Sequence, residues 1–299
     1  MVRFRIASLE LQIDADRPDV VDELAADWRG YGSTAGGPPD ITLSYEGIEG
    51  LLVPQPDGRA YPGYATMELG ETRVVLERRD GRLSVDLSGP TVRGHLRGMA
   101  APWALEAALR ALYSFALPRR GGLLLHSSGL RWPDRALVFC GPSGSGKSTL
   151  SRLLGEDAVR LGDDMTVVLP GSGATGFVAH ATPFAGELEP SPDGQAPLAG
   201  LYFLVKSGRH HLTPLPRREA IGRLLRNTVA FVDQPGPAAH TLAAADALAS
   251  AVPTGILEFA LDPGVAHLLA PPPVPYPGEG PCPEAPSSGT ARTHAPRGA

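Results

Sequence analysis

The residues best suited to chemistry lie in the second half of the chain. Gly141, Pro142, Ser143, Gly144, Ser145, Gly146, Lys147 and Ser148 follow the phosphate-loop spacing of a Gly, four residues, then Gly, Lys and Ser. Glycines let the backbone N–H groups of such a loop turn inward around a polyphosphate. A helix continuing through Thr149 adds favourable partial charge from its N-terminus. In this pattern Lys147 reaches the β- and γ-phosphates and Ser148 ligates Mg²⁺. The loop predicts binding of ATP or GTP together with Mg²⁺.

Downstream, Asp163 and Asp164 sit side by side, with Leu161 before them and Met165 and Val167 after. Consecutive side chains on a strand point to opposite faces, so the pair divides its work unless the strand is bulged. One carboxylate can face the phosphates and their metal, the other a substrate hydroxyl or another strand. The competing reading is a plain turn, where aspartates are common. His126 joins them through a hairpin expected over residues 122–131 and 136–140. With Arg131 opposite Ala136, His126 falls opposite Gly141, beside the start of the loop. A slip of one residue would turn it to the other face.

These groups need a strand feeding the loop, at 137–140, and a helix leaving it, at 149–154, with Gly155 as its cap. Residues 1–100 read as a β-rich recognition or scaffold domain. Alternation over 4–13 predicts a strand with one slip of register, and 19–28 a helix. Residues 41–45, 65–69, 72–77 and 83–87 read as further strands, with a turn at Asp80 and Gly81. Residues 101–119 hold a bridging helix whose stripe is Trp103, Leu105, Ala108, Leu109, Leu112 and Phe115, ended by Pro118.

Residues 120–269 carry the nucleotide core. Within it, 171–176 read as a hairpin turn, 198–206 and 212–215 as a hairpin, 217–229 and 242–251 as helices, and 255–261 as the last strand. Arg218, Arg223 and Arg226 could touch phosphate or an acidic partner, with a solvated helix face as the default reading. A basic cluster, Arg209, His210, His211, Arg217 and Arg218, offers an acidic substrate a landing place, or is simply solvated. Residues 270–299 form a tail holding nine of the 31 prolines, which predicts disorder or polyproline structure.

Composition narrows the partners. The formal charge of −5 over 299 residues gives no overall basic field, so nucleic acid is not expected. Two distant cysteines, Cys140 and Cys282, exclude a disulfide framework and a four-cysteine zinc site. They fit a reducing compartment. No apolar stretch approaches a membrane span, and the first residues lack the apolar run of a signal peptide. The expectation is a soluble, cytoplasmic protein without a membrane partner.

The stretch from about residue 120 to 265 resembles the catalytic domain of bacterial HPr kinase/phosphorylase, and more closely the HPr kinase-like proteins related to it. Leu124, Leu125, His126, Ser127, Ser128 and Gly129 before a hairpin, then the phosphate loop, then Arg160, Leu161, Gly162, Asp163 and Asp164, carry the likeness. So does the strand at 197–206, followed by Leu212, Thr213, Pro214, Leu215 and an arginine-bearing helix. The resemblance implies an α/β fold: a phosphoenolpyruvate-carboxykinase-like P-loop core with a mixed sheet, behind a β-rich N-terminal domain. It implies an ATP-dependent kinase transferring the γ-phosphoryl group to a hydroxyl, expected to be serine, of a peptide, protein or small-molecule acceptor.

By position, Asp163 is then the base that accepts the hydroxyl proton, and Asp164 assists at the metal side. His126 orients the carboxylate, Ser148 holds Mg²⁺, and Glu187 corresponds to a metal-side glutamate. The Glu-x-Arg-Gly signature of the true enzyme is missing, which points away from phosphorylase activity and from HPr, towards a stand-alone kinase. The resembled family forms oligomers, so a homo-oligomer is implied. The alternative is a P-loop ATPase or nucleotide-gated binding module without a phospho-acceptor. A carboxykinase acting on a small organic acid ranks last.

Overall fold

Alternation of apolar and polar residues builds the first sheet. β1 (Val2–Ile6) and β2 (Leu9–Ala15) form an antiparallel hairpin. α1 (Pro18–Asp27) carries the chain to β3 (Ile41–Ile48), which runs parallel to β2. β4 (Ala65–Leu69), β5 (Arg73–Arg78) and β6 (Gly81–Asp86) meander into β7 (Val92–Met99), parallel to β3. The sheet order is β1-β2-β3-β7-β6-β5-β4. Along β7, Val92, Gly94, Leu96 and Gly98 are buried, while Arg93, His95 and Arg97 are exposed. α2 (Pro102–Ala116) covers the buried face. It comes so close that a Cβ on Gly94 would meet Leu112 at 2.8 Å.

The structure is a computed structural model describing residues 1–50, 65–70, 72–132, 134–154, 158–171, 176–184, 191–192, 194–230 and 235–269. Met1–Leu268 form one compact unit. Gly155, Glu187, most of the glycine-rich turn at 171–176 and the Pro-rich tail from 270 lie outside the described residues.

The second half begins with β8 (Leu123–Arg131) and β9 (Ala136–Cys140), followed by α3 (Lys147–Leu153). Then come β10 (Val159–Gly162), β11 (Met165–Pro170), β12 (Phe177–His180) and β13 (Gln195–Lys206). β14 (His211–Pro214), α4 (Arg217–Asn227), α5 (Pro235–Ala251), β15 (Thr254–Phe259) and α6 (Val265–Leu269) complete it.

β8 pairs with β11, β11 with β12, β12 with β13, β13 with β9, and β9 again with β8. The ladder closes into a five-stranded barrel, which β10, β15 and β14 extend. This corrects the expected α/β, phosphoenolpyruvate-carboxykinase-like core. Among the described residues fifteen strands face six α-helices, and the helix after the loop has only seven residues. That expectation rested on the resemblance. The apolar runs of this half belong to strands buried on both faces of a mostly antiparallel ring. Leu124, Met165, Val167 and Leu169 join one hydrophobic cluster with Leu105, Leu109 and Leu112 of α2 and with Ile6, Leu11 and Ile13. Their sequence neighbours Leu123, Leu125 and Val168 join another, with Val138, Cys140, Leu224 and Leu248.

Three local expectations also change. The strand at 4–13 is a hairpin, because Ala7 and Ser8 both take positive φ, 50° and 65°. Such angles suit a two-residue hairpin turn, but turns of that kind usually announce themselves by Asn or Gly. β13 and β14 do not pair with each other; β15 lies between them, parallel to β13 and antiparallel to β14. β15 buries Leu257 and Phe259, whereas β14 is largely exposed and takes the edge. Trp103, expected on the buried stripe of α2, is 49% exposed; burial on that helix begins at Ala104.

Candidate phosphate-loop site

β9 is buried along its whole length and delivers the chain into the loop at Gly141. The pairing of Arg131 with Ala136 is the expected register, and it continues to Ser127 opposite Cys140. His126 is therefore level with Gly141. Within the loop the Ser145 N–H donates to the Pro142 carbonyl at 3.1 Å. Gly144 and Gly146 take φ of +77° and +99°, a left-handed backbone that side chains disfavour. A Cβ on Gly146 would also meet the Phe259 ring at 2.7 Å, so the loop rests directly on the end of β15. α3 is fastened to β8 by a 2.6 Å bond between the Ser151 and Ser128 hydroxyls. The helix is only seven residues long, and positive side-chain charge at the loop comes from Lys147, Arg152 and Lys206.

The Lys147 ammonium donates to the Gly141 carbonyl at 2.9 Å and lies 3.3 Å from His126 Nε2. Burial lowers its pKa, while Asp164, Cys140 and Asp163 pull it back up. The Cys140 thiol just before the loop is pushed up to about 12 by burial, so it stays protonated and unreactive.

The two aspartates sit at a break between β10 and β11. The pairing of β10 with β8 shifts between Arg160 and Gly162. The strand is therefore irregular there, and simple alternation does not fix where the carboxylates point. Asp163 is 5% exposed, and its Oδ2 accepts from the Ser148 hydroxyl at 3.3 Å. Asp164 is more open. Its Oδ1 lies 3.1 Å from His126 Nε2, and its Oδ2 accepts from Arg110 Nη1 at 3.2 Å. The hydrogen bond from His126, helped by Arg110, holds the Asp164 carboxyl below the usual carboxylate range.

Arg110 is a site residue that the sequence did not reveal. It comes from α2, bonds Glu106 one turn away at 2.6 Å, and lies over the Phe184 ring at 5.7 Å. Phe184 in turn meets Trp28 and Tyr113 edge-on, each with centroids 5.6 Å apart. Its one sequence signal was a lone cation within an otherwise apolar stretch of helix. Lys206, at the end of β13, was also missed.

His126, Ser143, Gly144, Gly146, Lys147, Ser148, Thr149, Asp163 and Asp164 line one cavity of about 410 Å³, together with Arg152 and Lys206. That lies within the size range of small-molecule sites. The basic cluster at 209–218 does not line this cavity, and three of its five members are paired. Arg209 meets Glu258 at 3.0 Å, His210 meets Asp262 at 2.8 Å and Arg217 meets Asp246 at 2.5 Å.

Ser148 and Asp163 are adjacent oxygen donors, which is the ligand chemistry Mg²⁺ takes. No group of three or more His, Cys, Asp or Glu side chains suited to a metal occurs among the described residues. A Mg²⁺ ion here would rest on Ser148 and Asp163.

No helix among the described residues is long and apolar enough to cross a membrane. No curated protein matches the chain. A family model described as ScmC, SynChlorMet cassette protein ScmC, matches residues 103–236, and over that stretch, from α2 through the phosphate loop and both aspartates, the chain is similar to that family.

Proposed function

We propose that the protein is an ATP-dependent kinase of the HPr kinase-like kind, transferring the γ-phosphoryl group to a hydroxyl, expected to be serine, of a peptide, protein or small-molecule acceptor. One observation carries this reading: the two carboxylates beside the phosphate loop have different partners, Asp163 on Ser148 and Asp164 on His126 and Arg110. Transfer to a hydroxyl uses two such groups, one at the metal and one at the acceptor.

The geometry favours exchanging the roles that the resemblance implied. Asp163 is buried against Ser148 and suits the metal side. Asp164 has 30% of its side chain exposed and faces the same cavity, where an acceptor can reach it. His126 and Arg110 fix its orientation and keep it ionised. A carboxylate of low pKa suffices, because phosphoryl transfer passes through a loose transition state in which positioning and charge stabilisation dominate. Lys147 would stabilise charge on the phosphate oxygens. When bound, Mg²⁺ would neutralise part of the β,γ-phosphate charge.

The test is incubation with γ-labelled ATP, Mg²⁺ and the peptides or proteins encoded beside the gene. Wild type is expected to label a serine, and Lys147→Ala and Asp164→Ala are expected to lose the label. Release of free phosphate with no labelled acceptor would instead support the ATPase or nucleotide-gated reading. Labelling by Asp164→Ala at the wild-type rate would remove Asp164 from the proton-accepting role.

A further inference from the structure

Three strands that run parallel, β9, β13 and β15, end on the same side of the molecule. Ligands of parallel sheets gather outside such carboxyl ends. β9 ends in the loop, and β15 ends at Phe259, on which Gly146 rests. β13 ends at Lys206. Phe203 is paired with Cys140, the last residue before the loop, so Lys206 lies three residues further along, level with the loop itself. Its stem passes under the loop: a Cβ on Gly146 would lie 3.6 Å from Lys206 Cε.

The cations of the cavity are not equivalent. Lys147 is committed to the Gly141 carbonyl. Lys206 lines the same cavity, is exposed, and has no side-chain hydrogen bond or ion pair among the described residues. An ammonium held beside a phosphate loop without a carboxylate of its own is matched by a phosphate oxygen.

We infer that Lys206 is a second phosphate-binding residue, contacting the outer phosphates of a nucleoside triphosphate opposite Lys147. This rests on the nucleotide reading proposed above and deepens it, since it makes the site selective for longer phosphate chains. A nucleoside monophosphate does not extend to both lysines. A triphosphate does.

Fluorescence titration with mant-ATP and mant-AMP in the presence of Mg²⁺ tests the assignment. The proteins compared are wild type, Lys206→Ala, Lys206→Arg and Arg209→Ala. Arg209 is a nearby exposed cation paired with Glu258, and it controls for loss of charge alone. Lys206→Ala is expected to weaken mant-ATP about tenfold or more, the scale of one charge-assisted hydrogen bond. Mant-AMP should stay within about twofold of wild type, Lys206→Arg should retain most of the mant-ATP affinity, and Arg209→Ala should match wild type. Unchanged mant-ATP affinity in Lys206→Ala overturns the inference while leaving the nucleotide reading intact. An equal loss for mant-ATP and mant-AMP also overturns it. A wild type that binds neither nucleotide overturns the nucleotide reading, and the inference with it.

Discussion

The seven-stranded sheet and the barrel bury their strands in different ways. β7 of the sheet alternates strictly, one face under α2 and the other in solvent, where Arg97 meets Glu46 at 3.0 Å. β9 of the barrel is buried at every position, and β11 at all but its last. A strand buried on both faces can offer chemistry only at its ends or where its ladder breaks. The loop, Lys206 and the aspartates sit in just such places, and His126, within β8, stands opposite Met165 beside the same break. The loop follows the end of β9, and Lys206 closes β13. Asp163 and Asp164 fill the break between β10 and β11. The open sheet can vary its exposed face freely, whereas the barrel confines reactive residues to its rim.

The largest test of that contrast is Asp164→Asn at the rim. Turnover should fall about 10²- to 10⁴-fold, the range for loss of a proton-transferring group. Mant-ATP affinity should stay within a few fold. A matching loss of nucleotide affinity would place Asp164 among the binding residues instead.

Arg110→Ala comes next and asks whether α2 is only a cover for the front sheet. The ion pair to Asp164 predicts a drop in turnover of about 10- to 100-fold from lost positioning, with the KM for ATP unchanged and partial rescue by Arg110→Lys. No change in kcat would detach α2 from the chemistry and make the contrast between the two regions complete.

A smaller effect is expected at His180, at the end of β12. Burial lowers its pKa to about 4 from 6.5, and it is 9% exposed. The unfolded chain binds the proton more readily than the folded one, so stability is full above about pH 6.5 and declines as pH falls towards 4. Urea denaturation of wild type and His180→Gln across pH 7.5 to 4 should show the wild type losing stability faster in that window. A difference independent of pH would mean that His180 titrates as if solvated.

Arg97→Ala on the open sheet face is expected to do least. Exposed ion pairs typically contribute about 0–1 kcal/mol. A thermal shift corresponding to more than that would show that this face is not simply solvated.

Much of the site was legible because it is local. The loop spacing is contiguous, and the register assumed for the hairpin, Arg131 opposite Ala136, is the one the strands take. What was hidden depends on distance or on backbone detail. Arg110 reaches Asp164 across 54 positions of chain, and no pattern within α2 points there. The break at Asp163 turns on Gly162, where a Cβ would lie 2.1 Å from the Met165 carbonyl oxygen. A glycine before two aspartates reads equally well as an ordinary turn. Barrel closure was illegible for a further reason. A strand covered on both faces has the same composition whether helices or other strands cover it.

Closure of the ring also governs how the molecule breathes. β9 has β8 on one side and β13 on the other, so it has no free edge from which to fray. Its amides can reach solvent only when a substantial part of the ring opens cooperatively. Hydrogen exchange should therefore be slowest in Val138 and Phe139, directly beneath the loop, and fastest along the unpaired side of β14. The loop is then anchored on a strand that has a partner along both edges.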